Sequence, residues 1–274
     1  MLVNLNPVLT KASISHYAVA AYNINNLEWT KWILEACNED KSPVILAVSE
    51  TTASYLGGYK VIVSFVNMLI NNISIPVVLH LDHAKSFSAC KEAIDSGFTS
   101  VMIDASNKSI EENVRIIIDV IEYAKGKNVS VEAEIGELDN YEETSLDDVI
   151  NFYNQTGVDV LAPAVGNSHG IYKEAVKIDF ELLGSISKSI RIPLVLHGAS
   201  GLDENKIKTA VFCGVSKINI NTDLQVAWAN AVKDFINNND DIYDPRKIIA
   251  SGEKAIKNII HCKNIILESK NKAN

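Results

Sequence analysis

The chain has 274 residues, 47% of them hydrophobic and 22% charged, a composition that fills a globular core and excludes an intrinsically disordered polymer. Its formal net charge of -9 argues against an electrostatic nucleic-acid footprint. No apolar run approaches the roughly 18 residues needed to span a bilayer, and residues 1–10 lack the charged and apolar stretches of a signal peptide.

Short β-branched runs alternate along the chain with longer amphipathic stretches. The first strand is predicted at residues 17–22, with a helical pattern at 27–40, and the second at 44–49, with a helix at 60–71. Strands at 76–81, 100–104 and 130–134 are followed by helices at 86–96, 110–127 and 146–155. Strands at 159–162, 194–197 and 216–219 are followed by helices at 179–189, 204–213 and 226–237, and an extra C-terminal helix is expected at 245–258. Several of these strands are continuous apolar runs, as strands covered on both faces should be. Eight strands, each followed by a helix, predict an α/β fold, a single (β/α)8 TIM barrel with an extra C-terminal helix. No linker, charge block or repeat divides the chain, so residues 1–274 read as one domain. Four widely spaced cysteines without a CxxC pair fit a reduced, cytoplasmic protein.

The chemically capable residues fall at the C-terminal ends of the predicted strands. Asn23 follows strand one, Ser49 ends strand two, and Asp82 and His83 follow strand three. Asp104 ends strand four, Glu134 strand five, His197 strand seven and Asn219 strand eight, while His169 lies just past strand six. In such barrels the active site lies at that rim. Three histidines converging there, His83, His169 and His197, suit a Zn2+ site with an open fourth position. Asp104 and Glu134 offer oxygen ligands for a second metal position, or groups that orient the histidines. His80 shares a strand face with Asp82 and is expected below the site, packed or supporting it. His16 and His261 lack this placement and read as structural.

Glycine-rich segments supply the rest: Gly166-Asn-Ser-His-Gly170 after strand six, His197-Gly-Ala-Ser-Gly201 after strand seven and Asn219-Ile-Asn-Thr222 after strand eight. Such loops expose backbone N–H groups, and the last two run into helices whose N-terminal dipoles favour anions. Tight βα turns are the plainer reading of each segment alone. A phosphate site is the reading they support together, because loops seven and eight are the usual phosphate site of the barrel.

These residues resemble the class II, metal-dependent fructose-bisphosphate aldolase family, and the similarity runs through nearly the whole chain. It is carried in order by AYNINNLEWTKWILEA, SPVILAVSE, VVLHLDHA, GFTSVMIDAS, SVEAEIG, LAPAVGNSHGIY, PLVLHGASGL, KININTD and YDPRK. The resemblance implies Zn2+ dependence and reversible cleavage of a ketose bisphosphate to dihydroxyacetone phosphate and an aldehyde phosphate, in glycolysis or gluconeogenesis. It also implies a homodimer or homotetramer, and a monovalent cation stands as a further candidate cofactor.

By position, the resemblance makes His83, His169 and His197 the zinc ligands, and Asp104 and Glu134 the alternative metal position. It makes Asp82 the residue exchanging a proton with the C4 hydroxyl, and Glu142 the residue handling the C–H proton of dihydroxyacetone phosphate. Gly170, Gly198, Ala199, Ser200, Asn219, Ile220, Asn221 and Thr222 fall to that substrate's phosphate. Arg246 matches an arginine that reaches a neighbouring subunit to hold the second phosphate, and Asn23 and Ser49 line the pocket. A metal mechanism needs no Schiff-base lysine, and neither Lys85 nor Lys217 stands in an obviously apolar site.

The chain departs from the family in two places. Asp139-Asn140 stand where a Gly-Gly pair usually precedes the loop glutamate, and that loop is shorter. After Ser106 the family's histidine and proline give way to Asn107-Lys-Ser. Tagatose 1,6-bisphosphate and 2-deoxy-5-keto-gluconate 6-phosphate remain alternative substrates within the family. A barrel hydrolase would carry HxH on strand one, where this chain has Ala-Ala-Tyr-Asn, and a non-catalytic binding barrel is the remote alternative.

Overall fold

The computed structural model describes residues 1–137, 144–168, 170 and 177–273. The chain enters through α1 (Leu5–Ile14) and then alternates strand and helix: β1 (Val19–Asn23), α2 (Leu27–Glu39), β2 (Val44–Ser49), a short α3 (Glu50–Tyr55) and α4 (Tyr59–Leu69). The series continues with β3 (Val77–Ala84), α5 (Phe87–Ser96), β4 (Ser100–Ile103), α6 (Ile110–Ala124), β5 (Ser130–Ile135) and α7 (Leu146–Thr156). It ends with β6 (Val160–Pro163), α8 (Phe180–Ile190), β7 (Leu194–Leu196), α9 (Glu204–Phe212), β8 (Val215–Ile220), α10 (Thr222–Asn237), α11 (Pro245–Ala250) and α12 (Glu253–Ile266). The strands form a closed parallel barrel in sequence order, with β1 paired to both β2 and β8. The predicted barrel is therefore the observed one.

Local chemistry explains where the helices begin. The side chains of Asn26, Ser86, Ser109, Ser145 and Asp179 each accept a hydrogen bond from a first-turn amide of the helix that follows. Among the described residues no helix is long and apolar enough to cross a membrane.

The two-residue pleat sorts the side chains into layers. On β5, Val131, Ala133 and Ile135 join the large core between strands and helices, so the alternate residues Ser130, Glu132 and Glu134 take the opposite, inward face. Inside the barrel, Val19, Ala21, Ile45, Ala47, Val78, Val160, Ala162 and Val195 form a second core with α1. Helix α1 stoppers the N-terminal end of the barrel with Leu5, Val8, Leu9 and Ala12, and the Leu5 amide donates to Ser130 Oγ at 3.0 Å.

Two elements differ from expectation. Helix α1 is absent from the sequence-based reading, although Asn4 caps it and its apolar residues recur at helical spacing. The single C-terminal helix expected at 245–258 is two, α11 and α12, broken at Gly252. A Cβ at Gly252 would lie 2.1 Å from Cδ1 of Trp228, so the chain passes the indole only where it has no side chain. Strand β3, predicted to end at Leu81, runs on to Ala84.

Leu9 is fully buried in the inner core. Leu9→Ala is expected to cost about 2–5 kcal/mol in denaturant unfolding. A loss below about 0.5 kcal/mol, the range of surface substitutions, would show that α1 is not part of that core.

Candidate active site

The C-terminal ends of the strands open on a cavity of about 330 Å3. Its floor is built by β3. Asp82 lies on the inward face by the pleat, and the next residue, His83, would ordinarily point out toward the helices. Instead the β3–β4 register shifts between Leu81 and Ala84, and His83 takes φ +52°. This bulge turns two successive side chains toward the same mouth. A non-glycine residue in that conformation costs on the order of 1–2 kcal/mol, which the contacts of His83 must offset.

Asp82 is held from two sides. Its Oδ2 accepts from Asn23 Nδ2 at 3.0 Å and its Oδ1 from Asn219 Nδ2 at 3.1 Å. Burial disfavours the charge, but His83, Lys217 and His197 hold the carboxyl well below the usual carboxylate range. Asp104 is held low in the same way: burial opposes the charge, while His83, Lys85 and Ser106 favour it. Its Oδ2 receives His83 Nδ1 at 2.9 Å and Lys85 Nζ at 2.6 Å, and its Oδ1 receives Ser106 Oγ at 2.7 Å. An ionised carboxylate only accepts, so His83 Nδ1 carries a proton.

The other nitrogen of that ring, Nε2, lies 2.9 Å from Nδ1 of His197. Burial alone would lower the His83 pKa, yet Asp82 and the bond to Asp104 raise it to about 9. His197 is fully buried and is lowered to about 4, chiefly by that burial. Glu134 behaves oppositely to its neighbour Asp104: burial first, then the Asp104 charge, pushes it up to about 8, and its Oε2 has no hydrogen-bond partner. Asp82, His83 and His197 bring ligand atoms within 4.8 Å of one another, as do His83, Asp104 and Glu134. His83 belongs to both groups.

The cavity wall opposite this floor is lined by Gly170, Gly198, Ser200, Asn219, Asn221 and Thr222. The N-terminus of the 16-residue α10 opens here, and Asn221 at its cap position makes no side-chain capping bond. Helix dipole and exposed amides make such an end a site for anions. Ala199 and Ile220 point into the core, so any contact they make with a ligand is through backbone. Ser49 lines the cavity, but its hydroxyl also caps α3 by accepting from the Thr52 amide at 3.1 Å. Asn25, Thr51, Thr52 and Gln225 complete the lining, and none was singled out in the sequence because each lies one or more residues past a strand end.

His169 and Glu142 lie outside the described residues, as do Asp139 and Asn140. Arg246 is not among the residues lining the cavity; its guanidinium is largely exposed and is gripped by Asp244 at 2.8 and 3.0 Å. Lys217, which the sequence does not place in an obviously apolar site, lies on β8 and is fully buried inside the barrel, with Nζ 2.8 Å from the Glu132 carboxylate. Glu132 escaped the sequence reading, although it stands two residues from Glu134 on the same strand face.

Residues 3–272 match the family model described as fructose-bisphosphate aldolase class-II. The chain is 47% identical over 267 residues to the fructose-bisphosphate aldolase of Geobacillus stearothermophilus, covering 93% of each. It superposes on the crystal structure of the YdjI aldolase from Escherichia coli K12 with a TM-score of 0.90, at 31% identity and 100% coverage of both chains. Fructose-bisphosphate aldolase from Campylobacter jejuni gives 0.89 at 26% identity, over 100% of this chain and 97% of that one.

The loop after β6 tests the steric side of this site. A Cβ on Gly166, at φ +89°, would lie 2.3 Å from the Lys177 carbonyl oxygen, whereas one on Gly170, at φ +94°, would meet nothing within 4 Å among the described residues. Gly166→Ala is expected to lose about 1–3 kcal/mol, with a lowered Tm, and Gly170→Ala only the backbone cost of about 1 kcal/mol. Equal losses in thermal unfolding would contradict the packing described here.

Proposed function

The chain belongs to the class II fructose-bisphosphate aldolase family, and from that premise we propose that it is a zinc-dependent aldehyde-lyase, reversibly cleaving fructose 1,6-bisphosphate to dihydroxyacetone phosphate and glyceraldehyde 3-phosphate. The observation that carries this reading is the meeting of an ionised Asp82 with the buried imidazole of His197 and the half-buried one of His83 beneath a glycine-rich anion wall.

The donor set fits a divalent cation of zinc's character. Two ring nitrogens, His83 Nε2 and His197 Nδ1, converge at the cavity floor from different strands. His83 and His197, with His169 as the third ligand, would hold the ion, and Asp104 with Glu134 would serve a second position. The Oε2 of Glu134, which has no hydrogen-bond partner, suits that role, because a cation would offset the burial and the Asp104 charge that disfavour its ionised form. Bound there, zinc would supply Lewis acidity that stabilises the negative charge left on the ketone fragment.

The remaining steps fall to the side chains. Asp82, kept ionised by His83, Lys217 and His197 and oriented by Asn23 and Asn219, takes the proton of the C4 hydroxyl. As that proton leaves, the C4 carbonyl forms and the C3–C4 bonding pair passes to the ketone fragment. Glu142 returns a proton to that carbon. Gly198, Ser200, Asn221 and Thr222, with Gly170 and the N-terminus of α10, hold the ketone-side phosphate. Ser49 lines the aldehyde side, and Arg246 of a neighbouring copy meets the second phosphate in a homodimer or homotetramer. The whole chain acts as one barrel domain in the cytoplasm, with a monovalent cation as a further candidate cofactor.

Cleavage of fructose 1,6-bisphosphate by purified protein is expected to vanish with EDTA and return with Zn2+. Asp82→Asn is expected to lower kcat by roughly 10^2–10^4-fold. Zinc-loaded protein that leaves this ester intact while cleaving tagatose 1,6-bisphosphate would overturn the substrate assignment.

A further inference from the structure

We propose that Glu132 and Lys217 form a buried charge couple that positions His197: the carboxylate accepts a hydrogen bond from Nε2–H and thereby keeps the Nδ1 lone pair aimed into the mouth for a divalent cation. The inference rests on the metal reading above and extends it to two residues that touch neither cavity nor substrate.

All three side chains are fully buried inside the barrel, below the site. Glu132 Oε1 lies 3.0 Å from His197 Nε2 and 2.8 Å from Lys217 Nζ. The ammonium has only donors to offer, so beside it Glu132 stays a carboxylate, and a carboxylate only accepts. The proton in the 3.0 Å contact therefore belongs to the imidazole. A neutral ring holding its proton on Nε2 presents a bare Nδ1, which lies 3.2 Å from the Nδ2 donor of Asn219 and 2.9 Å from His83 Nε2. The opposite tautomer would put a hydrogen where a cation must bind.

Lys217 is needed because Glu132 by itself would be an uncompensated buried charge. His80 completes the layer, with Nδ1 2.8 Å from Ser100 Oγ and Nε2 3.5 Å from Lys217 Nζ. Stability does not explain the couple, since well-packed apolar residues in place of a buried ion pair are often as stable or more so. Orientation of a ligand imidazole does explain it, because such rings are held by a carboxylate or carbonyl on their far nitrogen.

The test reads the tautomer and the metal separately. In the metal-free whole chain, long-range 1H–15N spectra are expected to show His197 protonated on Nε2. Competition with a chromophoric chelator is expected to show zinc binding weakened by about 10–100-fold in Glu132→Leu and in Glu132→Leu/Lys217→Met, which remove the acceptor altogether. The double variant leaves no unpaired buried charge and serves where a single variant does not fold. An Nδ1-protonated His197 in the unmodified protein would overturn the proposal, as would a folded double variant with unchanged zinc affinity. Failure of the unmodified protein to bind zinc at all would overturn the underlying metal reading, an outcome distinct from those two.

Discussion

A closed barrel of eight strands gives its inward side chains no solvent and no neighbour except one another. Everything distinctive about this protein follows from how that interior is filled. Toward the N-terminal end it is apolar and stoppered by α1, with Leu5, Leu9, Val19, Ile45 and Val78 among its members. Glu132, His80, Lys217 and His197 also lie inside, fully buried, as a connected polar layer. A lone charge could not survive there, so each brings its partner. The polar layer therefore acts as a unit, and the residues at the mouth rest on it.

The pleat also forces a choice at β3. A regular strand delivers one residue in two to the interior, whereas the site uses both Asp82 and His83. The bulge after Leu81 and the positive φ of His83 resolve the conflict at a cost in backbone energy. The contacts that offset it include His83 Nδ1 on Asp104 and the proximity of Asp82. The same crowding of opposite charges separates the carboxyls into two kinds. Asp82 and Asp104 are surrounded by cationic or donor groups and stay ionised, while Glu134, buried beside a second carboxylate, is raised to about 8.

An acidic chain can still bind an anion when the attraction is local. Here the net charge of -9 coexists with a cavity wall made of glycine loops, Ser200 and the open end of α10. Backbone dipoles fixed by the fold act over a few ångströms, where the distant acidic surface is screened.

The sequence by itself determined the barrel and most of the rim. Strand and helix periods are local properties, so the strand at 44–49 is legible where it stands, the one predicted at 100–104 ends a residue earlier, and Asp82, His83, Asp104, Glu134 and Asn219 could be placed by counting from strand ends. Helix α1 was passed over because its ten residues announce themselves only once a barrel floor exists to receive them. The break at Gly252 depends on Trp228, more than twenty residues away. Tertiary structure alone decided that Lys217 is buried on Glu132, that His83 and His197 face each other, and that Arg246 sits on Asp244 outside the cavity. Those are pairings between elements far apart in sequence. No local pattern encodes them, because the distance between two side chains is set by the closure of the barrel and not by the residues that flank either one.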